Sequence, residues 1–88
     1  MTDRDVIEAV QLNARKWRDM VAGQIVWERW DEATVDRGGS LWGPGPYVKL
    51  PVDVVYEDGT EDRVVVRVHP REWMRRLLAS ALASQEGQ

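Results

Sequence analysis

The chain has no cysteine and no phenylalanine, a single histidine, and two lysines against ten arginines. Without cysteine there is no disulfide framework, no thiolate nucleophile and no cysteine-ligated metal, and redox usage says nothing of compartment. No apolar run approaches the roughly 20 residues of a membrane span, and the opening Met1-Thr2-Asp3-Arg4-Asp5 is too acidic and polar for a signal peptide. A soluble, cytoplasmic protein is expected. A formal net charge of −3 argues against nucleic-acid binding through overall charge, which needs a concentrated basic surface to release counterions, and leaves only a local basic face.

Eighty-eight residues support one domain spanning 1–88, and a chain of this size buries only roughly 60–65% of its unfolded surface. The strongest pattern in it is a pair of valine-rich runs. Val48, Leu50, Val52, Val54 and Tyr56 alternate up to Asp58-Gly59, and Val64, Val66 and Val68 alternate after it. A period of two interrupted by a glycine turn predicts a half-buried β-hairpin over about 47–56 and 60–68. Cross-strand partners share a face, so paired residue numbers must sum to an even value. A two-residue Asp58-Gly59 turn violates this; a three-residue Glu57-Asp58-Gly59 loop satisfies it and pairs Val52 with Val64, Leu50 with Val66, Val48 with Val68 and Asp53 with Arg63. Pro51 lacks a ladder donor, which places the strand at a sheet edge or turns that position away from its neighbour.

Thr2 and Asp5 have capping-box spacing, and Val6, Val10, Ala14, Trp17 and Val21 recur behind them, predicting a helix over 3–22 stopped by Gly23. The stretch 24–36 carries strand chemistry at Ile25-Val26-Trp27, but Val26, Trp30 and Ala33 favour a second helix ending at Gly38-Gly39. Pro70 and Glu72 open a C-terminal helix over 70–84 with Trp73, Met74, Leu77, Leu78, Ala81 and Leu82 as its apolar stripe, followed by a frayed tail at 85–88. The expected architecture is α+β: an N-terminal helix, a second helix, the hairpin, and the C-terminal helix packed on the hairpin's even face. A lone two-stranded sheet is marginal, and Val55 and Val65 lie on its odd face, so pairing into a homodimer is expected.

The arginine-rich usage, with five tryptophans and no phenylalanine, reflects GC-rich coding, and in this style the chain resembles small orphan proteins of actinobacteria and their phages. That likeness is one of composition and carries no motif and no functional residue across.

No catalytic set stands out. His69 precedes Pro70 and has no serine in a nucleophile motif to serve, so it reads as a strand-end residue. Asp31, Glu32 and Asp36, and the tip acids Glu57, Asp58, Glu61 and Asp62, lack the spacing and fixed glycine of a calcium loop and read as solvated surface, so no metal and no cofactor is expected. Leu41, Trp42 and Tyr47, in a loop rich in glycine and proline, have the character of interface anchors, because large aromatics bury much area at modest entropic cost. Arg63, Arg67, Arg71 and Arg75, with Arg76, form a basic stretch broken by one acid, Glu72, a candidate anion or nucleic-acid face. The leading expectation is a non-enzymatic protein-interaction module, a regulator or accessory factor, using Leu41, Trp42 and Tyr47. The alternative is a nucleic-acid-associated regulator using the arginines.

Overall fold

Thr2 caps the first helix as its spacing to Asp5 predicts: Thr2 Oγ1 accepts from the Asp5 amide at 3.2 Å and Asp5 Oδ2 accepts from the Thr2 amide at 2.9 Å. The computed structural model describes residues 2–38 and 45–86. In chain order it contains α1 (Asp3–Asn13), a 3₁₀ turn (Arg18–Met20), β1 (Gln24–Glu28), a second 3₁₀ turn (Trp30–Glu32), β2 (Thr34–Asp36), β3 (Tyr47–Val55), β4 (Glu61–Val68) and α2 (Glu72–Glu86). Two helices and a four-stranded antiparallel sheet make the fold α+β.

The hairpin has the register that parity demands. Val48 faces Val68, Leu50 faces Val66, Val52 faces Val64 and Asp53 faces Arg63. Its turn closes with the Tyr56 amide donating to the Thr60 carbonyl at 2.8 Å and the Gly59 amide to Tyr56 at 2.9 Å. Gly59 sits at φ +87°, a left-handed conformation that only glycine adopts without a steric penalty.

Three expectations are corrected. First, α1 ends at Asn13, not at residue 22. Past that point the backbone takes strand-like partners: Ala14 bridges Pro70, the Arg15 amide donates to His69 at 3.2 Å and the Arg71 amide to Asn13 at 2.9 Å. Trp17 recurs at helical spacing by coincidence and reaches the core from a turn. Second, 24–36 is not a helix but β1 and β2, joined through the 3₁₀ turn at Trp30. The β-branched and aromatic run at Ile25-Val26-Trp27 finds an open edge of β3 to pair with, and tertiary pairing overrides the helical spacing. Third, β3 is therefore central rather than at an edge: β4 runs along one side while β1 and β2 share the other. Pro51 fits there because it faces away from β4. Its carbonyl accepts from Arg29 at 2.9 Å, in the gap between β1 and β2 where its missing donor costs no ladder bond.

Val48, Leu50, Val52 and Val54 are wholly buried on the even face of β3. They join Val6, Ile7 and Val10 of α1, Trp17, and Leu78 and Leu82 of α2 in one core cluster. The stripe expected on α2 is split. Leu78, Leu82 and Met74 face this cluster while Trp73 and Leu77 are exposed, because only one flank of the helix meets α1. Gln85 and Glu86, expected to fray, are the last residues of α2; residues 87–88 lie outside the described residues.

Candidate anion-binding cleft at the edge of the sheet

The early end of α1 shapes the surface beside β4. After Arg15 the chain leaves the ladder, and the 3₁₀ turn Arg18–Met20 swings Trp17 inward against Trp30, the rings edge to face at 6.3 Å. Between this turn, β4 and the start of α2 lies a half-open cleft of about 440 Å³. Trp17, Met20, Val65 and Val66 give it an apolar floor. Its charged lining is Arg15, Lys16, Arg67 and Arg75, and no carboxylate is among the described residues that line it. Arg75 has an ion pair with Glu72 on its own helix at 3.7 Å, whereas Arg15, Lys16 and Arg67 have no acidic partner among the described residues. Cations gathered without counter-charge raise the local potential for an anion, all the more over a low-dielectric floor.

His69 forms part of the wall. Its ring stacks on Tyr47, centroids 5.0 Å apart and planes 29° from parallel. Tyr47 is in turn held by its hydroxyl, which donates to Asp36 at 3.0 Å. That bond, with the Gly38 amide, keeps the Asp36 carboxyl below the ordinary carboxylate range. His69 Nε2 is buried with no hydrogen-bond partner among the described residues. Burial pushes the imidazole below its ordinary pKa, and the charges of Arg15, Arg75 and Arg67 add to the effect. Both effects favour the neutral ring at pH 7.

The folded-state value lies below that of the unfolded chain, so stability from this group is full above the unfolded pKa of about 6.5 and is lost as pH falls toward the folded value. An anion in the cleft offsets the cations and raises the His69 pKa. With one histidine in the chain, its imidazole NMR titration reads this directly: a midpoint below that of an ordinary histidine in the free protein and an upward shift on filling the cleft are expected.

The basic residues singled out in the sequence divide. Arg67 and Arg75 meet at the cleft. Arg63 does not: it bonds Asp53 Oδ1 at 3.0 Å while Arg29 grips the same carboxylate at 2.7 Å. Asp53, held below the usual carboxylate range first by Arg29 and then by Arg63, neutralises that part of the outer face. Arg71 lies beyond the 14–18 segment, over a neighbouring shallow depression that it shares with Arg15, Lys16 and Arg18. Arg15 and Lys16 escaped the sequence reading because a helix over 3–22 would spread them on its solvent side. Their one signal was adjacency just before the buried Trp17.

Of the aromatic loop residues, Leu41 and Trp42 lie outside the described residues. Tyr47 is not a surface anchor: it is 3% exposed, because β3 begins at that residue and its ring closes the core end between Asp36 and His69.

Among the described residues no three acidic or histidine side chains converge as a metal site would require, and no helix is long and apolar enough to cross a membrane. No protein-family model, no curated protein and no solved structure matches the chain.

Proposed function

We propose that the protein is a non-enzymatic interaction module that captures an acidic segment of another protein in the cleft beside β4. The observation that carries this reading is the composition of the cleft among the described residues: four cationic side chains, no carboxylate, and an apolar floor of Trp17, Met20 and Val65. A purely phosphate-reading surface needs cations along a backbone and little apolar area, whereas a mixed floor suits a peptide whose acidic residues alternate with apolar ones. Its cations also steer encounter with an acidic partner, so association is expected to slow as salt rises.

The isotope-labelled protein titrated with a short peptide of alternating glutamate and valine tests this. Shifts concentrated at Arg15, Met20, Val65, Arg67 and His69 are expected, and Arg67→Glu is expected to weaken binding by at least about tenfold, equivalent to ~1.4 kcal/mol. Shifts scattered elsewhere, or unaltered affinity in Arg67→Glu, would remove the cleft from the account. A single-stranded DNA oligonucleotide is the companion probe. Tighter binding of the oligonucleotide than of the peptide, with a steep salt dependence that Arg67→Ala and Arg75→Ala flatten, would assign the cleft to nucleic acid instead.

A further inference from the structure

The hydrogen-bonding pattern of the hairpin leaves one edge of the sheet open. Tyr56 and Thr60 are a bonded pair, and in an antiparallel ladder bonded and non-bonded pairs alternate. The even residues of β4, Asp62 to Val68, therefore bond β3, and Glu61, Arg63, Val65 and Arg67 direct their backbone groups away from it. The same alternation on β3 turns Pro51 outward, as its bond from Arg29 requires. Beyond Val68 the edge is already taken, since Arg15 donates to His69 and Arg71 to Asn13. At Lys16 the chain abandons this ladder and turns into the 3₁₀ segment, so the edge from Glu61 to Arg67 has no strand beside it among the described residues. Val65, in the middle of it, is 63% exposed.

The vacated track runs into the cationic cleft. We propose that an extended acidic segment of a partner protein adds to β4 as a fifth strand, its backbone bonded to Val65 and Arg67 and its acidic side chains set among Arg15, Lys16, Arg67 and Arg75. The proposal rests on the cleft reading above and adds the binding mode. Main-chain bonds supply affinity in strand addition and alternate side chains supply specificity. Period two gives the sequence preference: an acid beside Arg67 on the outer face, and next to it an apolar residue turned toward Val66 and Met20. Charge complementarity selects this occupant over a second copy. A second copy of this edge brings two arginines, Arg63 and Arg67, with one acid, Glu61, to a site that is already cationic.

Amide hydrogen exchange and binding affinity are measured with the alternating glutamate and valine peptide and with the same peptide methylated on alternate backbone nitrogens. The plain peptide is expected to slow exchange at Val65 and Arg67 selectively, and methylation of the nitrogens facing β4 is expected to weaken binding at least about tenfold. Equal binding of the methylated peptides, with the Val65 and Arg67 amides unprotected, would overturn strand addition while leaving the cleft as the site. Failure of every peptide to bind would overturn both. Protection present without peptide and rising with protein concentration would assign the edge to a second copy and overturn the proposal.

Discussion

Trp17→Ala is expected to destabilise the protein by about 3–5 kcal/mol, the range for truncating a buried tryptophan. Trp17 is 7% exposed and belongs to the core cluster although it stands just before the 3₁₀ turn, outside α1 and every strand. Its ring meets Trp30 edge to face, an arrangement favoured by the ring quadrupole, and carries the Arg18 guanidinium at 5.7 Å from its centroid. Removing it opens a void between the turn and the sheet that the surrounding strands cannot close, and it deletes part of the cleft floor. Urea unfolding followed by circular dichroism checks the loss: the midpoint falls and the slope is retained. The matched control is Trp73→Ala. Trp73 is 54% exposed on α2, and its truncation is expected to change stability by no more than ~0.5 kcal/mol. Two tryptophans of one chain thus separate core from surface by nearly an order of magnitude in effect.

Leu50→Ala is the second large effect, expected at about 2–5 kcal/mol. Leu50 is fully buried on the central strand, opposite Val66, and no element can move into the space it fills without breaking the ladder on one side or the other. Small domains have little stability in hand, commonly near the low end of about 5–15 kcal/mol, so this variant is expected to be partly unfolded at 37 °C. Thermal melts of Leu50→Ala and of Leu77→Ala make the comparison. Leu77 is 60% exposed, and its replacement is expected to leave the midpoint nearly unchanged. A flat response in Leu50→Ala would mean that the even face of the hairpin is not the core.

Much of the hairpin was legible in the residues alone. Period two put Val48, Leu50, Val52 and Val54 on one face, and parity with a glycine bulge left one loop length, so the Asp53 to Arg63 pairing followed without coordinates. The capping box at Thr2 was legible for the same reason: its partners lie three residues apart, and local spacing alone brings them together. What failed was equally physical. Val6, Val10, Trp17 and Val21 share a helical period, but the period does not say whether a helix continues once another segment offers its backbone a partner. Residues 69–71 make that offer to 13–15. The strands β1 and β2 were hidden similarly, since their stability comes from the free edge of β3, more than ten residues away in sequence.

The candidate site was the least legible part. Arg67 and Arg75 stood out as members of a basic stretch, but their neighbours at the cleft, Arg15 and Lys16, are some fifty residues distant and come alongside only because α1 stops at Asn13. Tyr47 carried the character of an interface anchor and became core once Asp36 bonded its hydroxyl and His69 stacked on its ring. The sequence by itself determined the hairpin, its register, the start of α1 and the absence of cysteine chemistry, because each depends on short-range spacing or composition; α2 opens at Glu72, two residues after the expected Pro70, because Pro70 bridges Ala14. Tertiary structure alone decided where α1 ends, that β3 is central, and which arginines converge. Those outcomes depend on backbone groups finding partners across the fold, and the residues that supply such partners leave no local pattern.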